Sequence, residues 1–324
     1  MKYFSLTYML LIITACRKND FFPNPYNKPN PGCEVISINA DKQDSYDFYM
    51  IKTLGKYGQP THIKTQIRDV YGRVYLFDYN INYSADRAIF TGKTKEIFWV
   101  LDNPDDEFAD DPAMHKEGEE TIDNRSFEVF INKKTGFASF ARYTDNKFPI
   151  LEFTYDKRSL LGSIKTFFIN ENDNKPGTAY FDVTNDIHGN IVSIFAEGDS
   201  ASNAYFGNLG VRFMIEPKTQ SKGRKLFYEP EPIYVSRFYS LLQTLDWGPF
   251  QPDRERSWFE IQVTYPPDEI NIDVLVDGNY LNHKYDDKGK LTGYDLDADL
   301  HWLTSPRFLH ARDLVWNCDE RNRK

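Results

Sequence analysis

Apolar and polar residues alternate along most of this chain. The alternation is clear in residues 72–83 (GRVYLFDYNINY), 149–155 (PILEFTY), 178–184 (TAYFDVT) and 257–265 (SWFEIQVTY). A period of two residues places successive side chains on opposite faces of a β-strand. Turn residues separate the runs at hairpin spacing. The pattern predicts a mainly β fold, built from antiparallel sheets of hairpins in a meander.

One segment has a helical period instead. Residues 233–246 are predicted to form an amphipathic helix packed against a sheet, because their apolar positions recur every three or four residues. The apolar face of this helix consists of Tyr234, Phe238, Leu241, Leu242 and Leu245. Pro232 lies where a helix can begin, and the pair Gly248-Pro249 lies where it must end. Shorter helices also fit near residues 51–57 and 311–316.

The segment 102–123 differs from the runs around it. It is rich in acidic residues and contains Pro104 and Pro112. This composition predicts a long loop, or a boundary near residues 102–124 that divides the β-rich region 33–324 into two halves.

A turn motif recurs between the predicted strands. Aspartate is followed three residues later by glycine, or in one case by serine, at Asp69/Gly72, Asp156/Ser159, Asp186/Gly189 and Asp286/Gly289. The carboxylate can accept backbone amide hydrogen bonds, and glycine tolerates the backbone angle that closes the hairpin. These turns are similar to the Tyr-Asp (YD) repeats of Rhs-type bacterial surface proteins, which are hairpins wound into one continuous sheet. Their irregular spacing leaves ordinary hairpins as the alternative, and both interpretations imply antiparallel β structure.

The first residues are typical of an export signal. Lys2 precedes a short apolar run, residues 4–13, which is too short to cross a bilayer as a helix. The quartet Ile13-Thr14-Ala15-Cys16 follows and resembles the lipobox of bacterial lipoproteins. The resemblance implies that residues 1–15 are removed as a signal peptide and that Cys16 is acylated. An ordinary signal peptide with an unrelated cysteine, or a buried N-terminal strand, are the alternatives.

The residues after Cys16 bear on where the protein is held. Arg17 does not match the aspartate that retains some lipoproteins in the inner membrane, so the resemblance implies the outer membrane of a Gram-negative envelope. Residues 16–32 contain four prolines and no apolar period. They are predicted to form an extended tether that reaches up to about 50 Å at ~3.1 Å per residue.

Composition and charge limit the kinds of partner that the sequence predicts. The chain has 324 residues, of which 40% are hydrophobic, and a formal net charge of −9. A negative chain lacks the basic surface that nucleic acids require, so nucleic acid is not predicted as a partner. The same charge argues against electrostatic contact with an anionic membrane surface. About 290 residues beyond the tether suit one large β domain or two smaller ones.

Two further cysteines flank the β-rich region. Cys33 and Cys318 could form a disulfide, because domain termini often lie close together and an exported protein meets oxidising conditions. Two separate buried thiols are the alternative. No Cys-x-x-Cys pair is present, so the sequence does not predict a zinc ribbon or a redox dithiol.

Candidate metal sites are weak. Asp295, Asp297 and Asp299 fall on one side of a predicted strand, where they could bind a hard cation, although a solvated strand face is the preferred interpretation. The six histidines show no metal-binding spacing. No metal and no cofactor are predicted.

Catalytic motifs are equally weak. Residues 197–203 (EGDSASN) resemble the GDSL esterase block, but Asp297 and His301 lack the spacing of its second motif, so a turn is preferred. Trp247, Trp258 and Trp302 could stack on sugars, although tryptophan in a β-rich chain is more often a core residue.

The sequence therefore predicts a lipid-anchored envelope protein with a non-catalytic binding or structural role. Its partners would be the membrane, through the lipid on Cys16, and an envelope protein or a glycan. The alternative is a glycan-directed hydrolase that uses paired carboxylates. A third interpretation is a subunit of a larger envelope complex.

Overall fold

The computed structural model describes residues 33–40, 48–56, 59–68, 74–84, 86–101, 115–132, 135–169, 175–196, 210–217, 236–245, 256–265, 268–287, 291–300 and 308–318. The strands are β1 (Cys33–Ile38), β2 (Tyr49–Leu54), β3 (Pro60–Arg68), β4 (Val74–Tyr83), β5 (Arg87–Leu101), β6 (His115–Asp123), β7 (Phe127–Ile131), β8 (Ala138–Tyr143), β9 (Pro149–Tyr155), β10 (Leu161–Ile169), β11 (Pro176–Asn185), β12 (Ile191–Ala196), β13 (Gly210–Pro217), β14 (Arg256–Tyr265), β15 (Asp268–Tyr285), β16 (Leu291–Leu300) and β17 (Phe308–Cys318). The helix α1 spans Arg237–Thr244, between β13 and β14.

The strands form a closed antiparallel barrel. Apart from β6 and β7, strands that follow each other in sequence are hydrogen-bonded, and β1 pairs with both β2 and β17, so the wall has no free edge there. Strand β5 pairs with β7 through its first residues and with β6 through its later ones. Because β6 and β7 share one position in the wall, seventeen strands make a barrel of sixteen.

The predicted β class is confirmed, and the closed barrel is more specific than the predicted sheets of hairpins. Two local predictions are wrong. Residues 51–54 belong to β2 and residues 311–316 to β17, not to helices. The acidic segment 102–123 is a loop at most in part, because its last nine residues form β6 and continue the ladder with β5.

Alternation along the strands separates an apolar inner face from a polar outer face. In β4, Tyr75, Phe77 and Tyr79 are buried, whereas Asp78 and Asn80 between and beyond them are partly or fully exposed. Because these buried rings alternate with polar side chains that reach solvent, the rings point into the barrel and the polar side chains point outward. The inner face is rich in aromatic rings, so the interior is packed.

Helix α1 lies inside this barrel. Its residues Phe238 to Thr244 are all buried, including the polar Ser240 and Gln243. It contacts β3 and β9, which stand on well-separated parts of the wall. The predicted helix is therefore confirmed over 237–244, and the buried Phe238, Leu241, Leu242 and Leu245 confirm its apolar face. The helix does not cover a sheet from outside, because the wall surrounds it.

The helix has eight residues, and none of the helices in the described ranges is long and apolar enough to pass through a bilayer.

The outer face carries charged side chains in register across strands. Asp78 lies opposite both Lys64 on β3 and Lys93 on β5, and Glu152 lies opposite Lys165. Large apolar side chains exposed in the described ranges are scattered over the wall; they are Ile122, Ile169, Tyr180, Ile187, Leu281, Tyr285 and Val315. The described wall thus presents a largely polar surface.

Two of the predicted aspartate turns are described, and they have the same geometry. The Asp156 carboxylate accepts hydrogen bonds from the amides of Arg158 and Leu160, at 2.8 and 2.9 Å. The Asp186 carboxylate accepts equivalent bonds from residues 188 and 190, at 2.8 and 2.9 Å. Ser159 and Gly189 occupy the same position with φ of 63° and 88°. The predicted role of aspartate and glycine in these turns is confirmed.

Candidate functional site

A group of ionisable side chains connected by hydrogen bonds lies at the start of helix α1. We call it the Arg237 cluster. It consists of Arg237, Glu96, Asp123, Arg125 and Tyr143. It joins the helix to strands β5, β6 and β8 and to the short connection that follows β6.

The chain positions these side chains through strand register and a helix cap. Glu96 follows the buried Thr94 by two residues on β5, so both face inward. Asp123 ends β6 and lies opposite Thr94. The hydroxyl of Ser236 accepts a hydrogen bond from the amide of Phe238 and caps the helix, which places Arg237 at its first turn.

Arg237 bridges the two carboxylates. One guanidinium nitrogen donates to Glu96 Oε2 at 3.2 Å, and the other donates to Asp123 Oδ2 at 3.0 Å. The exposed fractions of the three side chains are only 19%, 12% and 15%, so water screens these pairs weakly.

Asp123 has further partners. Arg125 donates to both of its oxygens, from Nε at 2.9 Å and from Nη2 at 2.8 Å, and its backbone amide donates at 3.0 Å. The Tyr143 hydroxyl donates to Asp123 Oδ2 at 3.3 Å. The Arg125 guanidinium also lies 3.9 Å above the Tyr143 ring, within the range of a cation–π contact.

These contacts set the protonation states. Burial acts to raise the pKa of Asp123, but the hydrogen bonds and charge of Arg125, with the charge of Arg237, outweigh it, so the pKa of Asp123 is lowered. Burial raises the pKa of Tyr143 above its ordinary value. Burial also raises the pKa of the neighbouring Tyr79 to about 12, although its hydrogen bond with Thr94 acts in the opposite direction.

The arrangement is suited to holding the helix rather than to catalysis. A general acid at neutral pH needs a carboxyl whose pKa is raised. The pKa of Asp123 is lowered, and one guanidinium occupies oxygens of both acids. The cluster therefore stabilises the plugged barrel and does not resemble the carboxylate pair of a glycosidase.

A second ionic group lies on the outer face. Glu128 accepts hydrogen bonds from Arg87 at 2.8 Å and from Arg142 at 2.7 Å. Both guanidinium groups also lie over the Phe130 ring, at 5.4 and 4.9 Å from its centroid. Burial acts to raise the pKa of Glu128, but the two arginines lower it overall. The two arginines therefore cover the Phe130 ring.

Comparisons with known proteins give no family. No family model matches the chain, and no curated protein matches it. Two porin-like proteins are among the solved structures to which the chain is similar. A porin-like protein from Bacteroides vulgatus covers 87% of this chain and 97% of its own, at 10% identity and a TM-score of 0.49. A porin-like protein from Bacteroides uniformis covers 88% and 98%, at 11% identity and a TM-score of 0.42. Neither similarity is close enough to assign a function.

Several residues singled out in the sequence lie outside the described ranges. They are Cys16, Asp69, Gly72, Gly198, Asp199, Ser200, Tyr234, Trp247, Gly289, Trp302 and the signal and tether segments. Cys33 and Cys318 are brought together, since their Cα atoms are partners on the adjacent strands β1 and β17.

Trp258 and the aspartate series lie on the wall. Trp258 is half-buried and alternates with the inward Phe259, so it faces outward and is not a core residue. Asp295 and Asp297 alternate with the buried Leu296 and face outward too, as expected for a solvated strand face, and the side chain of Asp299 lies outside the described residues. Within the described ranges no group of three or more His, Cys, Asp or Glu is placed to hold a metal ion.

The sequence did not identify the Arg237 cluster. Its members are far apart in the chain, and Asp123 lay in a segment that its acidic composition assigned to a loop. The predicted start of the helix at residue 233 hid one signal: in the structure Ser236 caps the helix and Arg237 follows it, where an arginine opposes the helix dipole. An unfavourable cation at this position indicates that acidic partners lie nearby.

Proposed function

We propose that this protein is a lipid-anchored component of the cell envelope whose barrel stands in water beside the membrane and has a non-catalytic structural or binding role. The supporting observation is the distribution of side chains across the barrel wall, which is apolar inside and charged outside. The lipid on Cys16 and the tether supply the connection to the membrane.

The wall supports this placement energetically. A barrel that spans a bilayer turns an apolar band about 25 Å tall toward the lipid, and a lysine or arginine at the midplane costs about 2–4 kcal/mol. Outward positions here hold Lys64, Asp78 and Lys93 in one row across three strands. Such a row is stable in water and unstable in hydrocarbon.

The interior supports a role other than conduction. Porin-type barrels are lined by polar residues around a water-filled channel. Here Phe90 and Phe127 stack with centroids 4.3 Å apart, and the Phe238 ring of the helix lies 5.0 Å from Phe127. A plug of stacked rings leaves this part of the barrel filled.

Removing the acylated thiol tests the proposal. The Cys16→Ser variant should be recovered from the soluble fraction with an unchanged β-type circular dichroism spectrum, because its wall is suited to water. Cys318→Ser removes a different thiol and should stay in the membrane fraction. Mass spectrometry of the unaltered protein should find an acylated residue 16 at a new amino terminus.

Two outcomes would contradict the proposal. A Cys16→Ser variant that resists extraction by alkaline washing would mean that the wall itself is embedded in lipid. A positive result in a broad glycan-hydrolase screen, lost on Asp123→Asn or Glu96→Gln substitution, would favour the enzyme.

A further inference from the structure

The barrel closes where its first and last strands meet. Strand β1 has six residues, Cys33–Ile38, and pairs antiparallel with β17, Phe308–Cys318. This β1–β17 seam links two segments from opposite ends of the chain. No short turn can hold such a pair together, so its register depends on contacts within the seam.

The register of the seam places two cysteines directly opposite each other. Cys33 is the Cα partner of Cys318, and the next pairs are Glu34 with Asn317 and Val35 with Trp316. Directly opposite residues of an antiparallel pair have Cα atoms about 4.5–5.5 Å apart and direct their side chains to the same face. Disulfides join residues whose Cα atoms are roughly 4.4–6.8 Å apart.

We propose that Cys33 and Cys318 are joined by a disulfide that closes the β1–β17 seam. The pairing leaves Cys16, whose sulfur carries the lipid under the proposed function, as the third cysteine. With that thiol acylated, Cys33 and Cys318 have only each other as intramolecular partners.

Contacts at the other end of the seam hold β1 against β17, and the register changes by one residue between them and the cysteines, at a β-bulge between Val35 and Ser37. The amide of Asn39 donates to the Asp313 carbonyl at 3.0 Å, and the amide of Asp313 donates back to the Asn39 side-chain oxygen at 2.8 Å. On the other side of β17, the indole of Trp316 donates to the carbonyl of Leu291 on β16 at 2.6 Å. From Val35 to Cys33 the pairing runs in a single register, which places the two cysteines opposite each other.

The bond forms by oxidation. The thiolate of one cysteine attacks a protein disulfide of an oxidised thiol–disulfide oxidoreductase and forms a mixed disulfide. The second thiolate then displaces the oxidoreductase. The two thiols lose two protons and two electrons, and the oxidant leaves as a dithiol. This step rests on the proposed function, because export brings the chain to a compartment that contains such an oxidant.

Mass spectrometry tests the bond directly. The protein is isolated from the membrane fraction in the presence of an alkylating agent and digested without reductant. We expect a peptide in which residues 33 and 318 are cross-linked, which separates after reduction. Alkylated Cys33 and Cys318 in the acylated protein would overturn the inference and leave the proposed function intact. Dimers linked through either cysteine on non-reducing gels would overturn it as well.

A second experiment tests the disulfide independently of the proposed function. It is needed if the chain is found uncut in the cytosol, because that result would overturn the proposed function. The purified Cys16→Ser protein is equilibrated with oxidised and reduced glutathione. Formation of the 33–318 link at a glutathione potential of an exported compartment supports the assigned geometry. Free thiols under those conditions overturn it.

Thermal unfolding supplies a readout that does not depend on peptide recovery. Reductant should lower the Tm of the oxidised protein by roughly 5–15 °C and leave the Cys33→Ser/Cys318→Ser double variant unchanged. Each single variant should have the same Tm as the double variant, because either substitution breaks the same bond. Additive effects of the two single substitutions would contradict a shared disulfide.

Discussion

At the scale of single residues, Arg237 links the enclosed helix to the barrel wall. It is the first residue of the enclosed helix, and it neutralises two acids that the wall turns inward. Removing one partner of a weakly hydrated ion pair is costly, because the remaining charge loses a favourable interaction that water replaces only in part. The cluster therefore couples the position of the helix to the closure of β5 and β6.

Replacing Arg237 by methionine tests this coupling. Methionine keeps an apolar stem but removes the guanidinium that donates to Glu96 and leaves Asp123 with one arginine instead of two. We expect a loss of about 2–4 kcal/mol in the free energy of unfolding, measured by urea titration of the Cys16→Ser protein. Arg158→Met removes an exposed turn arginine paired with Asp156 and should cost less than about 1 kcal/mol. Equal losses of unfolding free energy in the two variants would show that the interior ion pairs stabilise the protein no more than the exposed pair does.

Asp123 predicts how stability depends on pH. Its pKa is lower in the folded protein than in an unfolded chain, where an aspartate titrates near ~4. Above that pH both states are ionised and the full stabilisation is present. As the pH falls, the unfolded state binds the proton first, so stability is lost toward the folded pKa. Urea unfolding should therefore show a steeper loss below about pH 4 in the parent than in Asp123→Asn.

The control for this experiment is Asp287→Asn, which alters an exposed turn residue. Its pH profile should follow that of the parent. An Asp123→Asn variant whose acid limb is as steep as the parent's would show that other carboxylates dominate the acid response.

At the scale of elements, the paired aspartate turns show how closely local sequence determines local structure. Ser159 and Gly189 occupy the same left-handed position, at φ of 63° and 88°. A side chain there costs roughly 1–2 kcal/mol in backbone strain, and glycine adds about 0.5–1 kcal/mol of unfolded-state entropy in return. The net difference favours glycine.

Reciprocal substitutions test this comparison. Ser159→Gly should stabilise the protein by about 0.5 kcal/mol, and Gly189→Ser should destabilise it by at least as much, since a Cβ at residue 189 would also lie 3.0 Å from the Leu160 side chain. Urea midpoints measure both changes. Shifts in the same direction for the two variants would show that the turns are not equivalent.

The elements that the sequence predicted correctly are those with a strong local signal. Alternation located strands such as β4 and β11, and the 3.6-residue period located the helix. The segments near residues 51–57 and 311–316 were misassigned because short apolar runs fit both periods. Strand β6 was missed because its charged residues lack the apolar side chains that identify a strand.

At the scale of the whole molecule, closure could not be predicted from the sequence. Alternation states that one face of each strand is buried, but a curved wall around a helix and a flat sheet under a helix give the same pattern. The difference lies in the pairing of β1 with β17, which joins residues from the two ends of the chain. Only the positions of Cys33 and Cys318 in the sequence hinted at that contact.

The contrast between inward and outward side chains of the barrel wall gives the last prediction. Phe127 is fully buried and packs against Tyr79, Phe90 and Phe238, whereas Tyr180 is 44% exposed on the outer face. If the barrel stands in water, Phe127→Ala should lower the free energy of unfolding by about 3–5 kcal/mol, because it creates a cavity inside. Tyr180→Ala should lower it by less than about 1 kcal/mol. Urea unfolding of the Cys16→Ser protein without detergent measures both. If the outer face is instead embedded in lipid, the Cys16→Ser protein should aggregate once detergent is removed, and that outcome would contradict the proposal.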